Sequence, residues 1–134
     1  MRAGRIRKTR KNEKGQSLVE FALVVPLLLL LVVGIFEFGR AWMTKNIVTG
    51  AAREAVRIYA VDQAGGANLA RTRANEVLNA GMIFVPPQNI EFTPAGFNQP
   101  VSVKITTNFQ ILTGLIPGLD NLEISSTTTM RREY

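Results

Sequence analysis

The chain has 134 residues, room for one small domain, and a helix given over to lipid would leave still less for a soluble core, so a large enzyme is not expected. It contains no cysteine and no histidine, which removes thiol catalysis, disulfide bonds, thiolate and imidazole metal ligands and every Ser-His-type triad. The formal charge of +6 is concentrated: residues 1–15 hold Arg2, Arg5, Arg7, Lys8, Arg10, Lys11 and Lys14 against Glu13, whereas residues 16–134 hold nine basic and nine acidic side chains. The leader lacks a neighbouring aromatic or groove-reading element and the rest of the chain has no basic bias, so nucleic acid is not an expected partner.

After the leader, residues 21–36 read FALVVPLLLLLVVGIF, sixteen positions without a charge, bracketed by Glu20 and Glu37. Leu18 and Val19 on one side and Phe38, Ala41, Trp42 and Met43 on the other extend the run to about 20 to 25 mainly apolar residues, the length that a bilayer core of roughly 30 Å requires. A helix apolar on all sides needs protein around it if it is not in lipid, and some 90 further residues are too few to provide that cover. Trp42 suits the outer interface, where an amphipathic ring is favoured. The excess of basic residues before the span places the N-terminus in the cytoplasm by the positive-inside rule. Pro26 removes one helical hydrogen bond, which membrane helices tolerate; a packing kink and an incidental proline are both open at this point.

A basic stretch before an apolar run also describes a signal peptide, and Gly39-Arg40-Ala41 offers small residues for cleavage after Ala41. That alternative yields an exported surface or adhesive protein. The apolar run is long for a signal core, however, and Glu20 is out of place at its inner edge. Gly15-Gln16-Ser17-Leu18-Val19-Glu20-Phe21 sets a glycine at the end of the leader and a glutamate five residues later, an arrangement that resembles the processing site of type IV pilin precursors. The resemblance implies a cut by a prepilin peptidase between Gly15 and Gln16, with the apolar helix kept on the mature protein. GQSLVEFALVVPLLLLLVVGIFEFGRAW, followed by AAREAVR, resembles the TadE-like family of tight-adherence (Flp) pilus assembly proteins, and the final TTTMRRE is similar to that family's usual ending. Flp major pilins usually carry a tyrosine where Phe21 stands and are far shorter, so the resemblance implies a minor, pseudopilin-like subunit. Its implied partners are the peptidase, other pilin-like subunits, the inner-membrane assembly platform and membrane lipid. The resemblance to pilins further implies that Glu20 pairs with the new amine of a neighbouring subunit; a glutamate that simply snorkels to the cytoplasmic headgroups is the alternative.

Beyond the span, Ile47, Val48, Ala51, Ala52, Ala55, Val56 and Tyr59 recur at helical spacing, and Gly50 with the three alanines is small enough for close approach of another backbone. A helix continuous from Leu18 to about Asp62 is roughly 65 to 70 Å long at 1.5 Å per residue, so its outer half serves as the spine of an external domain. Gly65-Gly66 ends that helix. A second follows with Leu69, Ala70, Arg73, Ala74, Val77 and Leu78 on one stripe, Gly81 as its stop and Pro86-Pro87 barring continuation. The period then changes to two: Ile90 and Phe92; Val101, Val103 and Ile105; Leu122, Ile124, Ser126 and Thr128. Turns are expected at Pro94-Ala95-Gly96, at Asn98-Gln99-Pro100 and around Ile116-Pro117-Gly118, and Thr106, Thr107 and residues 125–129 suit a solvated sheet face.

The expected fold is therefore α+β: a leader (1–15), a transmembrane helix (16–43) and an extracytoplasmic pilin-like domain (44–134) with a small antiparallel sheet packed on the helical spine. Gly65-Gly66 lacks a P-loop lysine and dinucleotide-loop spacing, and Asp62, Glu76, Glu91, Asp120 and Glu123 have neither calcium-loop nor paired-carboxylate spacing. No catalytic residue, metal, cofactor or small-molecule substrate is expected. The candidate sites are Gly15, Gln16 and Glu20 for processing, and Glu20, Pro26, Arg53, Glu54 and Arg57 for subunit packing. For the last three, a docking stripe competes with an ordinary Glu54 to Arg57 helical ion pair.

Overall fold

The computed structural model describes residues 11–61, 66–93, 99–112, 114 and 121–131. Leader residues 1–10, Asp62, Gly65, the turn residues 94–98 and 115–120, and the last residues 132–134 lie outside the described residues. The chain divides into two compact units, Met1–Phe36 and Glu37–Tyr134, and one helix, α1 (Lys11–Val61), contributes to both.

In the first unit α1 starts at Lys11, seven residues before the expected Leu18, so Gly15 is already helical. Lysine and glutamate are good helix formers, and nothing from Lys11 to Val19 forbids the conformation. Pro26 lies inside the helix, where its missing N–H costs one backbone hydrogen bond. The large apolar side chains from Leu18 to Phe36 are 52–73% exposed apart from Val25 and Val33, which are half-buried. No face of this stretch is set aside for a protein core.

The second unit begins at Glu37, and here α1 becomes one-sided. Val48, Ala51, Ala52, Ala55, Val56 and Ala60 are buried, and Ile47, Ile58 and Tyr59 pack against them half-buried. Gly50 departs from expectation: it is exposed, with nothing within 4 Å of where a Cβ would stand, so close approach rests on the alanines. Helix α2 (Gly66–Ala80) runs back along α1: Leu69 shares a groove with Val61, Arg73 pairs with Glu54, and Gly81 abuts Ile47. Its buried face is Gly66, Ala70, Ala74 and Leu78, narrower than the stripe expected. Leu69 is 56% exposed and Arg73 is exposed, because two helices faced with alanine meet along a strict four-residue row that leaves the flanking positions outside.

The end of α2 also differs in detail from the sequence reading. Ile83 N–H bonds to the Leu78 carbonyl at 2.9 Å and Met82 N–H to that of Asn79 at 2.9 Å, the paired bonds of a Schellman cap. The left-handed residue of that cap is Met82 (φ 57°), where glycine is usual. An L-residue pays roughly 1–2 kcal/mol there. Gly81 is needed for a different reason: a Cβ on it would stand 2.8 Å from two carbons of the Ile47 side chain.

A 3₁₀ turn (Pro87–Asn89) leads into β1 (Ile90–Thr93), followed by β2 (Pro100–Phe109) and β3 (Leu122–Arg131). They form one antiparallel sheet in the order β1-β2-β3, with Ile90 opposite Ile105 and Phe109 opposite Leu122. Alternation fixes the inner face of β2 as Val101, Val103, Ile105, Thr107 and Phe109, all buried. Thr107 (5% exposed) and Ser126 (7%) thus sit inside, against the expectation of a solvated face. A strand's pleat assigns faces by parity, and parity places Thr107 beside Ile105 and Ser126 beside Ile124 whatever their polarity. Fully buried Leu78, Ile90, Ile105, Val48, Val101 and Val103 are the largest core side chains, each worth about 1.5–3 kcal/mol of burial.

Candidate functional site

The candidate processing residues Gly15, Gln16 and Glu20 lie on an exposed part of α1 within about one and a half helical turns. Gly15 has open space around it. The Gln16 side-chain amide donates to the Glu20 carboxylate at 3.3 Å, so positions 16 and 20 share a face. Glu20 and Pro26 are exposed. Within Gly15–Val61 an 18-residue stretch is long and apolar enough to cross a membrane, and none of it is buried inside the structure. This helix fits a single-pass membrane protein.

The helical ion pair that competed with the docking stripe, Glu54 to Arg57, is not formed among the described residues. Glu54 bonds across to α2, its carboxylate 3.6 Å from Arg73 Nε, and Arg73 also holds Glu76 at 2.6 Å. The hydrogen bond and charge of Glu76, with the charge of Glu54, raise the Arg73 pKa. Arg53 and Arg57 are exposed, and Arg57 lines the groove that contains Val61 and Leu69.

Sequence reasoning treated Glu37 only as the end of an apolar run. Its side chain is in fact 11% exposed, receiving Arg40 at 2.7 Å and the backbone N–H of Leu112 at 2.9 Å. Arg40 lies over the Phe109 ring, 5.0 Å from its centroid. Lys45 donates to the Ser125 carbonyl of β3. Between these ties, Phe38, Ala41, Trp42 and Lys45 of α1 face residues 122–125 across a groove of about 320 Å³. The three-residue spacing of Glu37 and Arg40 was visible in the sequence, but their partners on the β2–β3 side were not. At the other end of the sheet Arg71 stacks on Phe92 (5.1 Å) and reaches the Ile90 carbonyl at 3.5 Å, while Tyr59 meets the Phe92 edge at 5.0 Å. The buried Arg71 Nε has no hydrogen-bond partner, for which the structure offers no account. Among the described residues there is no group of three acidic, histidine or cysteine side chains able to hold a metal ion.

The apolar helix with its glycine-to-glutamate start and its alanine-rich outer stripe is the segment that comparison with known families singles out. Residues 15–57 match the family model of TadE-like protein. The TadE-like match spans about a third of the chain and begins at Gly15 itself. It takes in every candidate site residue together with Glu37, Arg40 and Lys45, and leaves out α2 and the sheet. No curated protein and no solved structure matches the chain. The TadE-like match suggests a Tad pilus-related protein with an N-terminal apolar helix, from a structural, pilus-associated family, which interacts with other pilus components.

Proposed function

We propose that this chain is a structural, pseudopilin-like subunit of a Flp/Tad-type pilus assembly system. It is held in the inner membrane by α1 with its N-terminus in the cytoplasm, and a prepilin peptidase cuts it between Gly15 and Gln16. The observation that carries the reading is the coincidence of two boundaries: the TadE-like match starts at the same glycine after which the processing motif puts the cut. Gly15 lies inside α1, and a protease needs extended substrate, so the helix must open there; glycine lowers that cost by roughly 1 kcal/mol relative to alanine. Function is by helix packing among pilin-like subunits and the assembly platform, with Pro26, Arg53, Glu54 and Arg57 on the packing segment and no bond-making by this protein.

Cleavage creates an amine on Gln16. Glu20 lies a little over one helical turn away, with its carboxylate exposed to receive the amine of a neighbouring subunit. A lone carboxylate at the edge of lipid is a liability, and neutralisation between subunits drives assembly. The competing reading, a signal peptide removed after Ala41, sits badly with the second unit, which begins at Glu37. That cut would strip Glu37 and Arg40 from Leu112 and Phe109.

Intact-mass measurement of the protein from membrane and soluble fractions tests this directly. A membrane-bound chain starting at Gln16 is expected. A soluble chain starting at Trp42 would overturn the membrane-subunit reading, and a chain starting at Met1 would overturn the processing step alone. Glu20→Gln should insert and be cut normally yet fail to co-purify with pilin-like partners. Normal assembly with that variant would remove the pairing role of Glu20.

A further inference from the structure

Where α1 and α2 run side by side in the second unit, guanidinium groups outnumber carboxylates among the described residues. Arg53, Arg57 and Val61 follow one another at four-residue spacing, so they stand in one row, and all three are exposed. The described acids of α2 and of the outer half of α1 are Glu76 and Glu54, and both bond Arg73. By drawing Glu54 across to α2, Arg73 withholds the carboxylate three residues before Arg57 that would otherwise pair with it along the helix. Neither Arg53 nor Arg57 makes an ion pair among the described residues. The row ends in an apolar groove of about 290 Å³ lined by Arg57, Ile58, Val61 and Leu69. Val61 is 72% exposed and Leu69 56%, so two branched side chains stand in water beside two unpaired cations.

We infer that this surface docks another protein through a helical segment presenting two carboxylates one turn apart and an apolar side chain one turn beyond them. Arg53 and Arg57 are about 6 Å apart along the helix axis, the spacing of carboxylates four residues apart on a second helix. An apolar side chain one further turn along falls level with Val61, against the groove. Exposed ion pairs contribute little by themselves, so burial of Val61, Leu69 and the incoming side chain supplies the affinity, while the guanidinium pair selects the partner and its register. The occupant is not a second copy, because neither α1 nor α2 carries two acids four residues apart. Nor is it lipid: a headgroup phosphate satisfies one cation as well as two, and it makes no use of a concave apolar groove beside them.

The test places the photoreactive amino acid p-benzoylphenylalanine at position 69 of the full-length chain, or at exposed position 104 on the outer face of the sheet as a control, in the cells that make the protein. Crosslinked peptides are sequenced after illumination. The expected result is a product several-fold stronger at 69 than at 104, joined to a peptide of another protein that carries two acidic residues within a turn or two of the crosslinked apolar one. Arg53→Glu/Arg57→Glu should lower that product several-fold, and changing the two partner acids to arginine should restore it, which a merely misfolded variant would not allow. A product no stronger than at 104, one joined to lipid, to a second copy or to a peptide without acids, or one that survives the charge reversal overturns the inference. The inference rests on the packing role proposed for α1, yet the two fail separately. An acidic partner outside the pilus apparatus keeps the docking and removes the pilus reading, whereas a missing product in cells whose pili require this chain removes the docking alone.

Discussion

Helix α1 is one continuous element with two apolar stretches that obey different physics. From Leu18 to Phe36 the side chains are large and exposed on nearly every side, which is stable only where the solvent is itself apolar. From Ile47 to Ala60 the apolar residues form one stripe, and the most deeply buried of them are small: Ala51, Ala52 and Ala55 are wholly buried beneath α2 and the sheet. The first stretch depends on total apolarity and is indifferent to shape. The second depends on shape, because a helix can approach a sheet closely only where its side chains leave room.

The largest effects should come from charges that break one stretch and spare the other. Ala52→Asp buries an unpaired carboxylate, a penalty of several kcal/mol against a total stability of about 5–15 kcal/mol, and the outer domain should lose amide exchange protection while the protein still resists alkaline extraction. Leu29→Arg reverses the pattern: insertion weakens by about 2.5–3.5 kcal/mol, read as alkaline-extractable protein, while the domain in detergent melts as before. A domain destabilised by Leu29→Arg would refute the division of labour within α1. Next in size is Ile105→Ala, which removes a fully buried core side chain and should cost about 2–5 kcal/mol in denaturant unfolding.

Smaller changes sharpen the picture of shape. Gly81→Ala drives a methyl into Ile47 and should cost about 1–3 kcal/mol, with much of the loss recovered in the Gly81→Ala/Ile47→Ala double variant. Additive losses would mean that the two residues do not collide. Met82→Gly relieves the left-handed backbone and should raise domain stability in detergent by about 1 kcal/mol, seen as a higher melting temperature.

What the sequence disclosed follows from what each signal depends on. The span, the α1 stripe and the three strands were legible because periodicity and length are local properties. The ends of α1 and α2 were less so: Gly81 was recognised as a stop, yet its structural reason is a contact with a residue thirty-four positions earlier. The inward threonine and serine were misread because composition spoke for solvent while parity decided the face. The ties of Glu37, Arg40 and Lys45 to β2 and β3 join residues far apart in the chain, and no spacing rule reports such partners.

Among the described residues strand β3 pairs with β2 on one side only, which leaves the other edge of a ten-residue strand without a neighbour in its own sheet. Such an edge invites a second copy, and the commonest way for two identical edges to join is antiparallel, about a two-fold axis normal to the sheet. That operation reverses every direction lying in the plane of the sheet, including the direction of the α1 stripe packed against it. Two copies joined along this edge therefore carry their α1 stripes in opposite directions, and any pairing of the outer domains through β3 should be recognisable by that antiparallel arrangement of the helices.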